Sequence, residues 1–218
     1  MKLNANTPDR WKKSGLRTYD GKWAEEYDSC FYWKIIPADK WDMAVIKQVE
    51  IPLKEARILD VGCATGRLLE AMIRKGAVNL CGVDIAPKIV DTARRRIAKY
   101  DVKADLRPAD VEEHLPWPDQ SFDVVTLTGV LHHLTQPQKA LSEIYRVLKP
   151  GGQLVILELR FIFPVRQICN LFLQIFPMNG DYRFYTPKGT VSLLRQCRFK
   201  IRPGKKTPWY TFAVCGVK

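Results

Sequence analysis

The chain has no C-x-x-C pair, no internal repeat, no low-complexity tract and no signal-like N-terminus. Each absence removes a class of protein. Its six cysteines (Cys30, Cys63, Cys81, Cys169, Cys197 and Cys215) are scattered. Such scatter suits free thiols in a reducing compartment, and a disulfide framework is not expected. The opening Met1–Pro8 lacks an apolar h-region, so the expected location is cytoplasmic. The apolar stretch Arg160–Met178 is broken by Pro164, Arg166, Gln167, Asn170 and Gln174, which makes it too polar to span a bilayer. Acids are scarce at the far end. From Arg160 onward eleven bases face Asp181 alone, so this segment carries +10 of the formal net charge of +12. A basic third invites nucleic acid, an anionic membrane surface or an acidic substrate, and solvated charge without a specific role is the plainer alternative.

The remainder is ordinary for a soluble globule. Apolar residues make up 46% of the 218 and charged residues 27%, enough for one domain with a sizeable core. Residues 1–18 are polar and expected to be flexible, and residues 19–218 form one domain. Within it, 19–50 reads as N-terminal helices, 57–158 as a core and 159–218 as a further segment ending in a hairpin. Tyr19, Trp23 and Tyr27 recur at helical spacing, and Phe31, Tyr32 and Trp33 follow. Asp42–Glu50 reads as a helix ended by Pro52. Strands and helices then alternate: strand Ile58–Val61, helix Gly66–Lys75, strand Leu80–Val83, helix Lys88–Tyr100, strand Ala104–Pro108, strand Val124–Leu127, helix Gln138–Leu148 and strand Leu154–Leu157. Pro150-Gly151-Gly152 is expected to stop the last of these helices. Helix Thr190–Cys197 and strands Phe199–Arg202 and Trp209–Val217 follow. Alternation of this kind predicts an α/β fold with a parallel sheet covered on both faces.

The most informative segment is Arg57-Ile58-Leu59-Asp60-Val61-Gly62-Cys63-Ala64-Thr65-Gly66-Arg67. It reads as an apolar strand, a glycine turn and a helix start, with an acid just before the glycines. A loop built for a dinucleotide offers backbone N–H groups to a pyrophosphate, and a carboxylate at Asp60 would repel that dianion. The same carboxylate suits a ligand bearing an ammonium group, such as the amino-acid end of S-adenosylmethionine. A second strand, Leu80–Asp84, ends in an acid about 20 residues past the glycines, a placement that suits two ribose hydroxyls. Asp110-Val111, the run Leu115–Thr126 and Leu148-Lys149-Pro150-Gly151-Gly152 follow in order.

From Tyr19 to Glu158 this series resembles the class I S-adenosylmethionine-dependent methyltransferases. It is most similar to the branch containing the ubiquinone/menaquinone C-methyltransferases and other small-molecule enzymes. The resemblance implies a Rossmann-like, seven-stranded, mostly parallel sheet with helices on both faces and a C-terminal antiparallel hairpin. It implies S-adenosylmethionine as cofactor, held by Tyr19, Trp23, Tyr27, Asp60, Gly62, Cys63, Ala64, Gly66, Asp84, Ile85, Asp110, Val111 and Thr128. Asp110 would accept from the adenine amino group and Val111 would present its N–H to the ring. The Asp110–Pro116 loop is one residue longer than usual, and Ala64 stands where the family carries a third glycine. The family often has a histidine pair at the site mouth, matched here by His132 and His133, and His133 is the candidate catalytic residue. Adjacent histidines on a helix point apart, so no metal is expected.

Thr128-Gly129-Val130-Leu131 lacks the Asn-Pro-Pro-Tyr of base amino-methylases, and no Pro-Cys nucleophile is present. The basic charge thus does not by itself make this a base-modifying enzyme, and the resemblance to the small-molecule branch implies a small, hydrophobic or lipid-like acceptor. If a helix begins at Pro164, Ile168, Leu171, Phe172 and Ile175 share a stripe, either as core or as a peripheral contact with an anionic membrane. An RNA-directed enzyme and a non-catalytic module that keeps the fold are the alternatives.

Overall fold

A computed structural model describes residues 9–21, 23–29, 37–176 and 178–218. Seven strands form one sheet in the order β3-β2-β1-β4-β5-β7-β6. They are β1 (Arg57–Val61), β2 (Asn79–Asp84), β3 (Lys103–Pro108), β4 (Phe122–Thr128), β5 (Leu148–Leu159), β6 (Lys200–Arg202) and β7 (Thr211–Val217). β1 to β5 pair in parallel, and β7 runs antiparallel between β5 and β6. The terminal hairpin thus forms as expected, with its second strand inserted next to the core.

The helices are α1 (Asp9–Tyr19), α2 (Trp23–Glu26), α3 (Ala38–Ile46), α4 (Arg67–Ile73), α5 (Pro87–Ile97), α6 (Pro137–Val147), α7 (Val165–Ile175) and α8 (Pro187–Gln196). Tyr27–Ser29 and Leu131–His133 are 3-10 turns. The central strands are apolar on both faces because helices cover both. Leu59, Val61, Val125 and Leu127 pack toward α6 and α8, whereas Ile58, Leu80, Val124 and Val155 pack toward α3, α4 and α5. Fully burying such a side chain contributes about 1.5–3 kcal/mol. The order of strands reverses between β1 and β4, and a crevice opens at their carboxyl ends.

Several boundaries differ from the expectations. The helix expected over Asp42–Glu50 starts at Ala38, directly after Pro37, and ends at Ile46. Proline fixes an extended entry there, so the signal was Pro37 before the apolar run and Pro52 played no part. Pro150-Gly151-Gly152 does not stop α6. That helix ends at Val147, and Leu148 already pairs with Phe122, so the Pro-Gly-Gly lies inside β5. Tyr19, Trp23 and Tyr27 do not share one helix, because the chain turns between Tyr19 and Trp23. Their rings still meet edge to face, Tyr19 lying 6.3 Å from Trp23 and 6.0 Å from Tyr27. Phe31, Tyr32 and Trp33 lie outside the described residues.

The N-terminal stretch expected to be flexible is helical from Asp9. Trp11 is the reason: it is buried, meets Tyr182 edge to face at 5.4 Å, and its Nε1 donates to the Leu173 carbonyl at 3.2 Å. Gly15 and Gly180 pack backbone to backbone beside it, and a Cβ on Gly180 would stand 2.8 Å from the Gly15 Cα. A single indole thereby ties α1 to α7. Trp11→Phe should cost about 1–2 kcal/mol, since it strands a buried carbonyl. Amide exchange should accelerate in both Asp9–Tyr19 and Val165–Ile175. Acceleration confined to α1 would contradict the coupling.

Candidate active site

The crevice is built on the turn after β1. The N–H groups of Gly62 and Cys63 both donate to the Val83 carbonyl, at 2.7 and 2.9 Å, which folds the turn over the end of β2. Gly62 has φ +73° and packs so tightly on Val130 that a Cβ would overlap that side chain. Ala64 sits at φ +45° and donates its N–H to Asp84 Oδ2 at 3.0 Å. An L-residue in this region carries about 1 kcal/mol of strain, the cost of alanine at this turn position. Asp84 closes the arrangement from β2, its Oδ1 accepting from the Ala86 N–H at 3.1 Å.

Two adjoining cavities open above this floor, of about 870 and 1150 Å³ including the space open to solvent. The first is lined by Asp84, Ile85, Asp110, Val111 and the α1 residues Trp11 and Lys12. The second is lined by Asp60, Cys63, Trp23, Phe161, Asp181 and Phe184. Tyr19, Tyr27, Gly62, Ala64, Thr128 and His133 line both. The fold therefore brings to the crevice every sequence-derived candidate except Gly66. That glycine, at φ +77°, sits behind the crevice at the start of α4 and packs against Ala93.

The electrostatics are acidic. Asp60 is buried, and its Oδ1 accepts from Thr126 Oγ1 at 2.6 Å. Burial pushes its carboxyl up to about 7, with the threonine bond offsetting part of the rise. Burial also raises Asp84, opposed by the N–H groups of Ala86, Ala64 and Ile85. Among the described residues Thr128 Oγ1 is buried without a hydrogen-bond partner, a polar atom left available to a ligand. A carboxyl raised by folding costs stability once ionised. Asp60 should thus lower stability as pH rises from about 4 toward 7, by up to about 1.4 kcal/mol per pH unit. Denaturant titrations of wild type and Asp60→Asn across this window are the check: Asp42, also raised by burial to about 6, keeps a slope in both, and the slope should be shallower in Asp60→Asn.

Sequence reasoning missed five side chains at the site. Lys12 bridges Asp110 at 2.6 Å and Glu112 at 2.8 Å. Burial disfavours its charge, but the bonds to the two acids outweigh burial and raise its pKa. Asp110 is further fixed by the Glu112 N–H at 2.8 Å. The other four are Glu158, Asp181, Phe161 and Phe184. Glu158 Oε1 accepts from the Leu131 N–H and Oε2 from His132 Nδ1, each at 2.7 Å. Burial lowers the His132 pKa, but the Glu158 carboxylate outweighs it and the net shift is upward. His133 is held well below the ordinary range by burial and by His132 beside it. Two signals were present in the sequence: Glu158 ends an apolar strand, and Asp181 is the only acid among the last 59 residues. Lys12 carried none.

With this geometry in place, the comparisons with known proteins are specific. Residues 59–156 match a family described as a methyltransferase domain. The chain is 30% identical over 174 residues to the ubiquinone/menaquinone biosynthesis C-methyltransferase of Geotalea daltonii, covering 73% of each protein. It is 30% identical over 163 residues to a ubiquinone biosynthesis O-methyltransferase of Xylella fastidiosa, covering 75% of this chain and 62% of that one. An S-adenosylmethionine-dependent methyltransferase of Thermotoga maritima superposes with a TM-score of 0.70 at 19% identity, covering 93% of this chain and 98% of that one. The chain belongs to the class I S-adenosylmethionine-dependent methyltransferases, whose cofactor is S-adenosylmethionine. It spans 62%, 46% and 63% of the lengths of three of the curated relatives it matches. The RNA-directed alternative gains no support from these relatives.

Proposed function

We propose that the chain transfers a methyl group from S-adenosylmethionine to a hydrophobic, lipid-like acceptor taken up at an anionic membrane surface. The carrying observation is the solvent-facing stripe of α7 beside the second cavity. Ile168, Leu171, Phe172 and Ile175 are 64, 64, 47 and 56% exposed, and within α7 only Leu173 is buried. The stripe is therefore not core. Ile162, Phe163 and Met178 extend the apolar surface, while Phe161 and Phe184 line the cavity behind it. Trp209, 85% exposed, follows Lys205 and Lys206 on the chain segment whose Tyr210 carbonyl accepts from the Arg160 N–H. Exposed apolar surface within the strongly basic last third of the chain suits an anionic interface. Among the described residues no helix is long and apolar enough to cross a membrane, so the contact would be peripheral.

The crevice acids fit a cationic cofactor. Asp60 would accept from its ammonium, Asp84 from the ribose hydroxyls and Asp110 from the adenine amine, with Val111 against the ring. Tyr19, Trp23 and Tyr27 would close over the sulfonium, a cation that aromatic faces favour. The cofactor supplies a methyl group already activated for in-line displacement, leaving the protein to align the acceptor and exclude water. If Asp60 receives the ammonium, cofactor affinity should fall up to about tenfold per unit as pH drops below about 7. The related C- and O-methyltransferases named above support a quinone-type acceptor.

Two measurements test the reading. Flotation should recover the chain with anionic vesicles at low salt and not with neutral ones, and Ile168→Glu with Phe172→Glu should abolish recovery. Transfer of labelled methyl should favour an isoprenoid-tailed aromatic acceptor over its tailless head group. No binding to anionic vesicles, together with efficient methylation of the tailless compound, would falsify the proposal.

A further inference from the structure

The Leu131–His133 turn places two imidazoles against one carboxylate in the second cavity. His132 Nε2 lies 3.6 Å from Asp181 Oδ1 and His133 Nδ1 lies 3.1 Å from the same oxygen. The donor atoms of all three residues fall within 4.8 Å of one another. The outer contacts decide which ring atoms carry lone pairs. His132 Nδ1 faces the buried Glu158 carboxylate at 2.7 Å, so in the neutral ring it holds the hydrogen and Nε2 is the atom free to ligate. His133 Nδ1 is buried 3.1 Å from Asp181 Oδ1, and among the described residues it makes no aligned hydrogen bond. Two ring nitrogens and a carboxylate oxygen therefore converge on one point, where the negative charge of Asp181 is matched by a proton or by a metal cation.

We propose that His132, His133 and Asp181 bind a divalent first-row transition ion such as Zn2+. Two imidazoles and one carboxylate suit such an ion better than Mg2+ or Ca2+, which prefer an all-oxygen set. Tetrahedral ligands about 2.0–2.1 Å from zinc stand roughly 3.3 Å apart, close to the two separations found here. Glu158 supplies the second carboxylate that orients a ligating histidine and fixes its tautomer. The site is locked from behind: the N–H groups of Tyr182 and Arg183 donate to the His132 carbonyl at 2.8 and 3.0 Å, holding Asp181 beside the turn. The open cavity leaves the remaining coordination position to solvent or acceptor. His133 becomes a ligand in place of a base.

The inference deepens the transferase reading and rests on it for its chemistry. An acceptor hydroxyl bound to the ion loses its proton to water, and the O–H electron pair stays on oxygen. That oxygen forms a bond to the methyl carbon as the carbon–sulfur bond breaks, its electron pair passing to sulfur. The acceptor class is thus a hydroxyl-bearing, apolar molecule.

The test titrates Co2+ and Zn2+ into chelator-treated full chain, read by Co2+ absorption and by calorimetry. One ion per chain is expected, with Zn2+ displacing Co2+ and millimolar Mg2+ failing to do so. Glu158→Gln should weaken binding about 10–100-fold, as loss of an outer-shell partner does. Asp181→Asn and His133→Ala should weaken it further. His114→Ala, on an exposed and distant histidine, should leave it unchanged. Circular dichroism and S-adenosylhomocysteine binding report whether each variant is folded, and the near-isosteric Asp181→Asn serves if His133→Ala is not. Absence of uptake at micromolar ion, or unchanged affinity in a folded Asp181→Asn, overturns the ion site and leaves a shared proton as the occupant. Methyl transfer that persists in chelator overturns the ion's catalytic role and leaves the transferase standing. Ion uptake without methyl transfer to any acceptor keeps the site and refutes the transferase.

Discussion

Gly62→Ala should destabilise the chain by about 2–5 kcal/mol and abolish measurable cofactor binding. Two independent costs add. At φ +73° an alanine pays about 1–2 kcal/mol for the left-handed backbone. Its Cβ would also overlap the Val130 side chain, and overpacking of that kind typically costs about 1–3 kcal/mol. Relief requires the turn to lift from the Val83 carbonyl, which holds the Gly62 and Cys63 N–H groups at the crevice floor. The melting temperature should fall by roughly 4–20 °C. Adding Val130→Ala should recover the packing part and leave the backbone part, a coupling that a double-mutant cycle measures. Equal losses with and without Val130→Ala would show that the overlap plays no part.

Asp84→Ala should weaken S-adenosylhomocysteine binding by about 1.5–3 kcal/mol, or roughly 10–150-fold, through lost charge-assisted hydrogen bonds to the ribose. The same carboxylate accepts from the Ala64 and Ala86 N–H groups, so part of the loss could come from a loosened turn. Asp84→Asn separates the two contributions, because the amide keeps one acceptor oxygen for the turn and loses the charge. Calorimetry on both variants, with amide exchange at Gly62–Thr65 as the control for the turn, decides between them. Unchanged affinity in a folded Asp84→Ala, or a preference for a dinucleotide, would sink the cofactor assignment of the crevice.

The sequence by itself determined the sheet and the glycine turn at its crevice. Strands β1, β2 and β4 are apolar on both faces because helices cover both, so they are legible as short apolar runs. Asp60, Gly62 and Asp84 are legible because strand ends and tight turns restrict which residue types fit there. Boundaries shifted where pairing overrode local preference: Leu148 joins Phe122 in the sheet, so Pro150-Gly151-Gly152 became strand where a helix stop was expected. The N-terminal stretch looked mobile because Trp11 is one indole in a polar segment, and only its distant partners Leu173 and Tyr182 make it an anchor. Lys12 reaches Asp110 across 98 residues, a pairing that no local pattern encodes.

What only the tertiary structure decided is which polar groups meet and which apolar groups do not. The spacing of Ile168, Leu171, Phe172 and Ile175 fitted core and interface equally, because helical periodicity states that a face is apolar and not what covers it. Among the described residues nothing covers that face. His132 and His133 are adjacent in sequence and were expected to diverge as on a helix. The 3-10 turn instead brings their ring centroids to 4.1 Å, and a segment about 50 residues away supplies Asp181 to both. Short-range chemistry is written in neighbouring residues, whereas a cluster drawn from three distant segments exists only once the sheet has brought their ends together.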